Sequence, residues 1–246
     1  MRFRIICLLT VFTFLLIARS PKEAQAASLL TVDKEGALTW SVLSSEDDFS
    51  LSIPAPSSME VKSVASNSGS NLSTISLTKL EDKISMEVSS GSETRNLELS
   101  NWEEDLVELE ERPEVKNIKI GIVEDKFSIR QKRITALTDF PLTIDSESAK
   151  LTLTTSTGDK YLSILPLDAV ETLIKSKLLT NVKDNRIEIV EEESDLQYKI
   201  AGEKVFNLFD LYNYPVGVTS HVSASTGEIL SVDGPTWFKV INFLMT

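Results

Sequence analysis

The chain has a single histidine, His221, so a Ser-His-Asp hydrolase would have to route its proton transfer through that side chain. His221 lies in VGVTSHVSA, residues 216 to 224. On a strand, Val216, Val218 and Val222 define one face, and His221 falls on the other with Thr219 and Ser223. This places it on a wet sheet face rather than beside a nucleophile. No G-x-S-x-G elbow occurs anywhere in the chain to supply one. One histidine and one cysteine are too few for a structural zinc site, and neither G-x-x-x-x-G-K-[ST] nor G-x-G-x-x-G is present to cradle phosphate. The Asp-Thr-Gly and Asp-Ser-Gly triplets of aspartic proteases are absent as well.

Carboxylates are abundant enough to furnish a glycosidase pair, which makes a carboxylate-based hydrolase the competing class. Glu103, Glu104, Asp105 and Glu108, like Glu191 to Glu193, read more simply as solvated faces. None has the D-x-[DN]-x-[DN]-G pattern of a calcium loop. The residues therefore predict a non-enzymatic protein without cofactor or metal. Two groups are candidates for partner binding. Arg130, Lys132 and Arg133 could dock an acidic partner, although pairing with the protein's own acid is simpler. Trp237, Phe238 and Ile241 belong to the apolar ending WFKVINFLMT, too short to span a bilayer. That tail is expected to fold back on the body of the protein, burying Trp237, Ile241 and Leu244, or else to enter a partner groove or membrane interface.

The start of the chain speaks to compartment. Arg2 and Arg4 precede the apolar run IICLLTVFTFLLIA, residues 5 to 18, and a polar stretch leads to Ala24-Gln25-Ala26. This is the order of a secretory signal cleaved after Ala26, and export to the cell envelope is expected. If uncleaved, the run would anchor the protein to a membrane. Cys7 lies inside the run rather than at its end, which argues against a lipoprotein signal. Its removal would leave no thiol for a disulfide, nucleophile or metal. With 37 acidic and 25 basic residues, the net charge of −12 opposes binding to nucleic acid phosphates and anionic lipid.

Elements must position whatever these residues do, and alternation with a period of two dominates. Leu38, Trp40 and Val42 alternate with polar or small residues, as do Phe49, Leu51 and Ile53. Ile84, Met86 and Val88, then Ile118, Ile120 and Ile122, then Leu151 and Leu153, repeat the pattern. One apolar and one polar face mean antiparallel sheet with a wet side. Turn residues separate the runs at Lys34-Glu35-Gly36, Ser90-Gly91-Ser92, Thr157-Gly158-Asp159 and Thr226-Gly227. SNSGSN, residues 66 to 71, reads as a loop.

A helix is predicted over 167–179, with Ala169, Val170, Leu173 and Ile174 on one stripe and Pro166 at its start. WEEDLVELEER, 102–112, reads either as a second helix ending before Pro113 or as an acidic connector. Between Lys126 and Leu137 the apolar parity changes from Phe127 and Ile129 to Ile134 and Ala136. A bulge near Gln131 or two strands with a break would explain it. The predicted fold is mainly β, in antiparallel sheets, with an α+β C-terminal domain. The predicted divisions are a signal at 1–26, a β-rich domain at 27–112, a hairpin region at 113–165 and the α+β unit at 166–246.

The helix at 167–179 is followed by RIEIVEE from 186, LQYKIAG from 196 and YPVGVTSHVSASTGEILSVD from 214. That order, with Val222, Ala224, Thr226, Gly227, Glu228, Ile229 and Leu230, resembles the PepSY domain of exported and membrane-bound bacterial proteins over about 166–233. Two departures stand out: Ser223 where the family usually has an acidic residue, and the lengthening stretch EKVFNLFDLYN, 203–213. The resemblance implies a partner-binding role, inhibiting or regulating an envelope peptidase. The chain as a whole resembles exported bacterial proteins through ERPEV, 111–115, and SILP, 163–166.

Overall fold

The computed structural model describes residues 28–43, 61–63, 73–81, 83–99, 102, 105–111, 116–208 and 212–237. The signal region, the 66–71 loop, the strand expected at Phe49–Ile53, and Phe238, Ile241 and Leu244 all lie outside them. The early strands are β1 (Leu30–Val32), β2 (Leu38–Leu43), β3 (Val61–Ser63), β4 (Ser73–Leu80), β5 (Lys83–Ser90) and β6 (Glu93–Glu98). Then come β7 (Asp105–Leu109), β8 (Ile118–Val123), β9 (Lys126–Gln131), β10 (Ile134–Thr138), β11 (Leu142–Asp145), β12 (Lys150–Thr155) and β13 (Gly158–Tyr161). Helix α1 (Pro166–Lys175) follows, and β14 (Asn181–Val182), β15 (Arg186–Glu192), β16 (Asp195–Leu208), β17 (Tyr212–Ser223) and β18 (Ile229–Asp233) close the described chain.

Two sheets result, and the protein is mainly β as the alternation predicts. The larger sheet runs β18-β17-β16-β15-β10-β9-β8-β7-β1-β2-β3, with β14 beside β16. The smaller runs β13-β12-β11-β4-β5-β6. Most pairs are antiparallel, but β1 with β7 and β10 with β15 are parallel. Alternation cannot distinguish these, because it reports which face is buried and not strand direction. Each sheet draws strands from both sides of residue 113: β7 pairs with β8, while β11 lies beside β4.

Residues 105–109 are a strand, neither the helix nor the connector expected there. Pairing with β1 on one side and β8 on the other buries Val107 and Leu109 completely. A register shift between Asp105 and Val107 lets Leu106 be buried as well. Burial of three large side chains outweighs a helix propensity worth only tenths of a kcal/mol per residue. The parity change at 126–137 is a hairpin rather than a bulge, turning at Lys132-Arg133 so that Ile134 opposes Gln131 and Ala136 opposes Ile129. Several other turns use non-glycine residues at positive φ. Glu124-Asp125 and Glu193-Ser194 each have both central residues there, as tight hairpins require.

Helix α1 begins at Pro166, whose missing N–H costs nothing in a first turn. It ends at Lys175, with Lys177 at φ 56° closing it by bonds from Lys177 and Leu178 back to Ile174 and Leu173. Ala169, Val170 and Leu173 are buried, whereas Ile174 is exposed at the stripe's margin. The helix lies against β9, β10 and β16. Gln131 at the end of β9 accepts a hydrogen bond from the Leu167 N–H at 2.9 Å, and Lys116 pairs with Asp168 in the first turn. One hydrophobic cluster includes residues of both sheets and the helix.

Candidate functional site

The basic group predicted from sequence is divided by the fold. Arg130 on β9 pairs with Asp105 on β7 across Lys119 of β8. Lys119 itself reaches Glu108 at 3.2 Å and Asp105 at 3.8 Å. Ser28 and Asn117 each donate to Glu108 at 3.1 Å. Burial opposes charge on Glu108, but the hydrogen bonds from Asn117, Lys119 and Ser28 and the Lys119 charge together hold its carboxyl below the usual range. Arg130 is thereby engaged by the protein's own acid. Lys132 and Arg133 stand exposed at the hairpin turn.

His221 occupies the face opposite buried Val216, Val218 and Val222, as expected. It is not exposed, however: only 12% of its side-chain surface is open. Its Nδ1 lies 3.3 Å from the Gln197 side-chain oxygen and 3.3 Å from a Glu192 carboxylate oxygen, and Lys199 sits opposite it on β16. Neighbouring strands supply the cover that period-two reasoning cannot see. Ser223 turns to a different acid, donating to Asp195 at 3.0 Å. Ser225 also donates to Asp195, at 3.4 Å, and the Ser225 and Thr226 N–H groups donate to the Ser223 hydroxyl. Histidine and serine thus serve separate carboxylates, and the second network binds the β17–β18 turn to the start of β16. Gly227 completes that turn at φ +77°, a conformation that favours glycine.

Next to this end of the large sheet, Glu191 joins the two sheets. Its carboxylate accepts from the Thr155 hydroxyl at 2.7 Å, the Ser156 hydroxyl at 2.5 Å, the Ser156 N–H at 3.2 Å and the Thr157 hydroxyl. The hydrogen bonds from Ser156, Thr157 and Thr155 lower its pKa to about 2. Sequence placed Glu191 in a solvated run. The donors come from the β12–β13 turn, far away in sequence.

The other end of the same hairpin is built differently. Beyond Lys199 and the short β14 contact at Gly202–Glu203, β16 pairs only with β17 among the described residues, out to Leu208 opposite Tyr212. β18 covers β17 only from Thr219 onward. Residues 204–208 and 212–216 therefore form a two-stranded ribbon. Tyr212 is 63% exposed and Tyr214 45%. The Trp237 ring packs against those of Phe206 and Tyr214 at centroid distances of 6.0 and 6.2 Å. Trp237 keeps 37% of its surface exposed. Lys204 places its ammonium 5.6 Å from the Phe206 ring centroid.

Sequence reasoning named Trp237 but missed Phe206, Tyr212 and Tyr214. The signal was the aromatic density of VFNLFDLYNY, 205–214, which was read only as a lengthening of the module. No protein-family model matches the chain, and no curated protein or solved structure matches it. Among the described residues this is a β-rich protein of two sheets and one α-helix, with a polar, cross-linked end and an aromatic ribbon end.

Proposed function

We propose that the protein is an exported, non-enzymatic binding protein of the bacterial cell envelope. Its residues 166–233 act as an α+β, PepSY-like unit that docks and regulates an envelope peptidase. The observation that carries this reading is the succession of one helix and the antiparallel meander β15–β18, with Val222-Ser-Ala-Ser-Thr-Gly-Glu-Ile-Leu230 at its last turn. The acid missing at Ser223 has a counterpart across the sheet, because Asp195 accepts the Ser223 hydroxyl. Residues 204–208 and 212–213 of the lengthening stretch belong to the ribbon that extends from the unit. The engagement of His221 and Ser223 with different carboxylates supports binding rather than nucleophilic hydrolysis.

The test combines the purified chain with purified envelope peptidases of its source bacterium and follows cleavage of a protein substrate. Stoichiometric slowing of at least one peptidase is expected. The reading fails if none is slowed while the protein alone hydrolyses a glycoside or ester and Glu192→Gln abolishes that turnover. Export has its own measurement, a mature N-terminus at Ala27 by mass spectrometry of protein from the native host.

A further inference from the structure

Resting on the binding role above, we propose that the β16 flank of the ribbon takes an extended acidic segment of a partner protein as an added strand. Lys177 and Lys204 receive its carboxylates. The two flanks of the ribbon differ in the backbone groups they offer. The Ala224 N–H, just after β17, donates to the Leu196 carbonyl of β16, and the Ser223 N–H donates to the Glu228 carbonyl on the other side. The register of β16 with β17 runs unbroken from there to Leu208 and Tyr212. Even-numbered residues of β17 therefore turn their backbone groups to β16, and odd-numbered ones turn them away. Where β18 no longer covers β17, the outward residues include Pro215, which has no N–H to offer and blunts that flank.

The β16 flank is open instead. The Thr180 N–H donates to the Glu203 carbonyl at 2.8 Å, and the Thr180 hydroxyl accepts the Val205 N–H at 3.0 Å. Odd-numbered residues of β16 thus face outward. The Val205 carbonyl and both backbone groups of Asn207 continue that line without a partner among the described residues. Such groups are what an extended peptide pairs with when it adds to a sheet edge. The Thr180 bonds also hold the segment that follows α1 against β16, which brings Lys177 beside Lys204. Lys204 lies over the ring of Phe206, itself buried. Neither lysine has an ion pair among the described residues. Burial and the Lys177 charge hold the Lys204 ammonium below the usual lysine range, and Glu203 points to the other face of the strand. A carboxylate on the added strand is the counter-charge that these two cations lack. The net charge of −12 opposes an acidic partner at a distance. At physiological salt the Debye length is about 8 Å, so the lysines dominate once contact is made.

The test titrates the full chain into fluorescein-labelled Glu-Val-Glu-Val-Glu, an acidic peptide suited to an extended strand, and follows fluorescence anisotropy. Gln-Val-Gln-Val-Gln, with the same apolar residues and no side-chain charge, is the control. The acidic peptide should bind the more tightly, and high salt should erase the difference. In amide NMR spectra, the Asn207 N–H should shift and exchange more slowly with solvent when the peptide is present. The Asn213 N–H, on the blunted flank, should do neither. Lys177→Gln with Lys204→Gln should weaken binding by about tenfold. Asn207→Pro should abolish it by giving β16 the same missing donor that Pro215 gives β17.

No binding at millimolar peptide, or equal affinity for the two peptides, would overturn the proposal. So would undiminished binding by the lysine double variant, whose thermal melt reports that it is folded. Binding that moves the amides of Lys132 and Arg133 and leaves Asn207 unchanged would place the acid site on the β9–β10 turn instead. A dimer in sedimentation that the peptide dissociates would make a second copy of the chain the occupant. Binding gained only after residues 238–246 are deleted would give that place to the chain's own ending. The assay contains no peptidase, so its failure leaves regulation of a peptidase through another surface standing.

Discussion

The two ends of the β16–β17 hairpin share strands and differ in almost everything else. At the end containing Asp195 and Ser223, the hairpin is flanked by β15 and β18 and tied by carboxylate networks. Beside it, Glu191 fastens the smaller sheet through three consecutive hydroxyl residues. At the end containing Phe206 and Tyr214, the flanking strands stop and aromatic side chains take the place of polar cross-links. Chemistry-bearing residues, including the only histidine, are concentrated where the structure uses them to hold itself together. The exposed aromatic surface, Tyr212, Tyr214 and Trp237, is built from residues that do no chemistry. Polar residues in a sheet are therefore weak evidence of activity until their partners are known.

The comparison is sharpest for two tyrosines on adjacent strands. Tyr198 is completely buried and its hydroxyl donates to the Ile164 carbonyl at 2.6 Å, whereas Tyr214 stands on the ribbon. Tyr198→Ala should lose about 3–5 kcal/mol, the range for deleting a buried aromatic ring, as measured by urea unfolding. A loss below about 1 kcal/mol would mean that the well-flanked end is no better packed than the ribbon.

Gly202 marks the border between the two ends. A Cβ there would lie 2.2 Å from the Asn181 carbonyl oxygen and 2.6 Å from the Leu179 side chain. Gly202→Ala should therefore displace β14 and cost about 1–3 kcal/mol. Thermal melting measures the loss, and faster amide exchange at residues 180–182 would localise it.

Glu191→Gln should lower the melting temperature at neutral pH by removing a charged acceptor shared by three hydroxyls. The pH dependence has a definite sign. The folded pKa of about 2 lies below the ordinary value of 4.5, so this contribution is complete above about pH 4.5 and is lost as pH falls toward 2. Urea midpoints of the wild type should fall across that window, and those of Glu191→Gln should fall less. Parallel curves would remove Glu191 from the inter-sheet link. The smallest effect is expected on the ribbon: Tyr214→Ser should change stability by no more than about 0.5 kcal/mol in the same urea titration. A larger loss would make the aromatic patch part of the fold.

Much of the β architecture was legible because burial of one sheet face imposes a period of two. Ile84, Met86 and Val88, and likewise Ile118, Ile120 and Ile122, are buried in register as their spacing implies. Helix α1 was legible from a stripe and a proline. The 105–109 strand was not, because its acids suit a helix locally and meet Lys119 and Arg130 only after β7, β8 and β9 assemble. Arg130 looked available for the same reason.

By itself the sequence determined which side chains face inward, where the chain turns, and the absence of the motifs sought for nucleophiles, phosphates and zinc. These follow from local periodicity and residue chemistry, which operate over a few neighbouring positions. Tertiary structure decided that β1 and β7 run parallel, that Glu191 meets the 155–157 hydroxyls, that His221 is covered, and that Phe206, Tyr214 and Trp237 form one patch. Each of those depends on segments brought together across the sheets, and no local pattern records the partner that a strand or a carboxylate will find there.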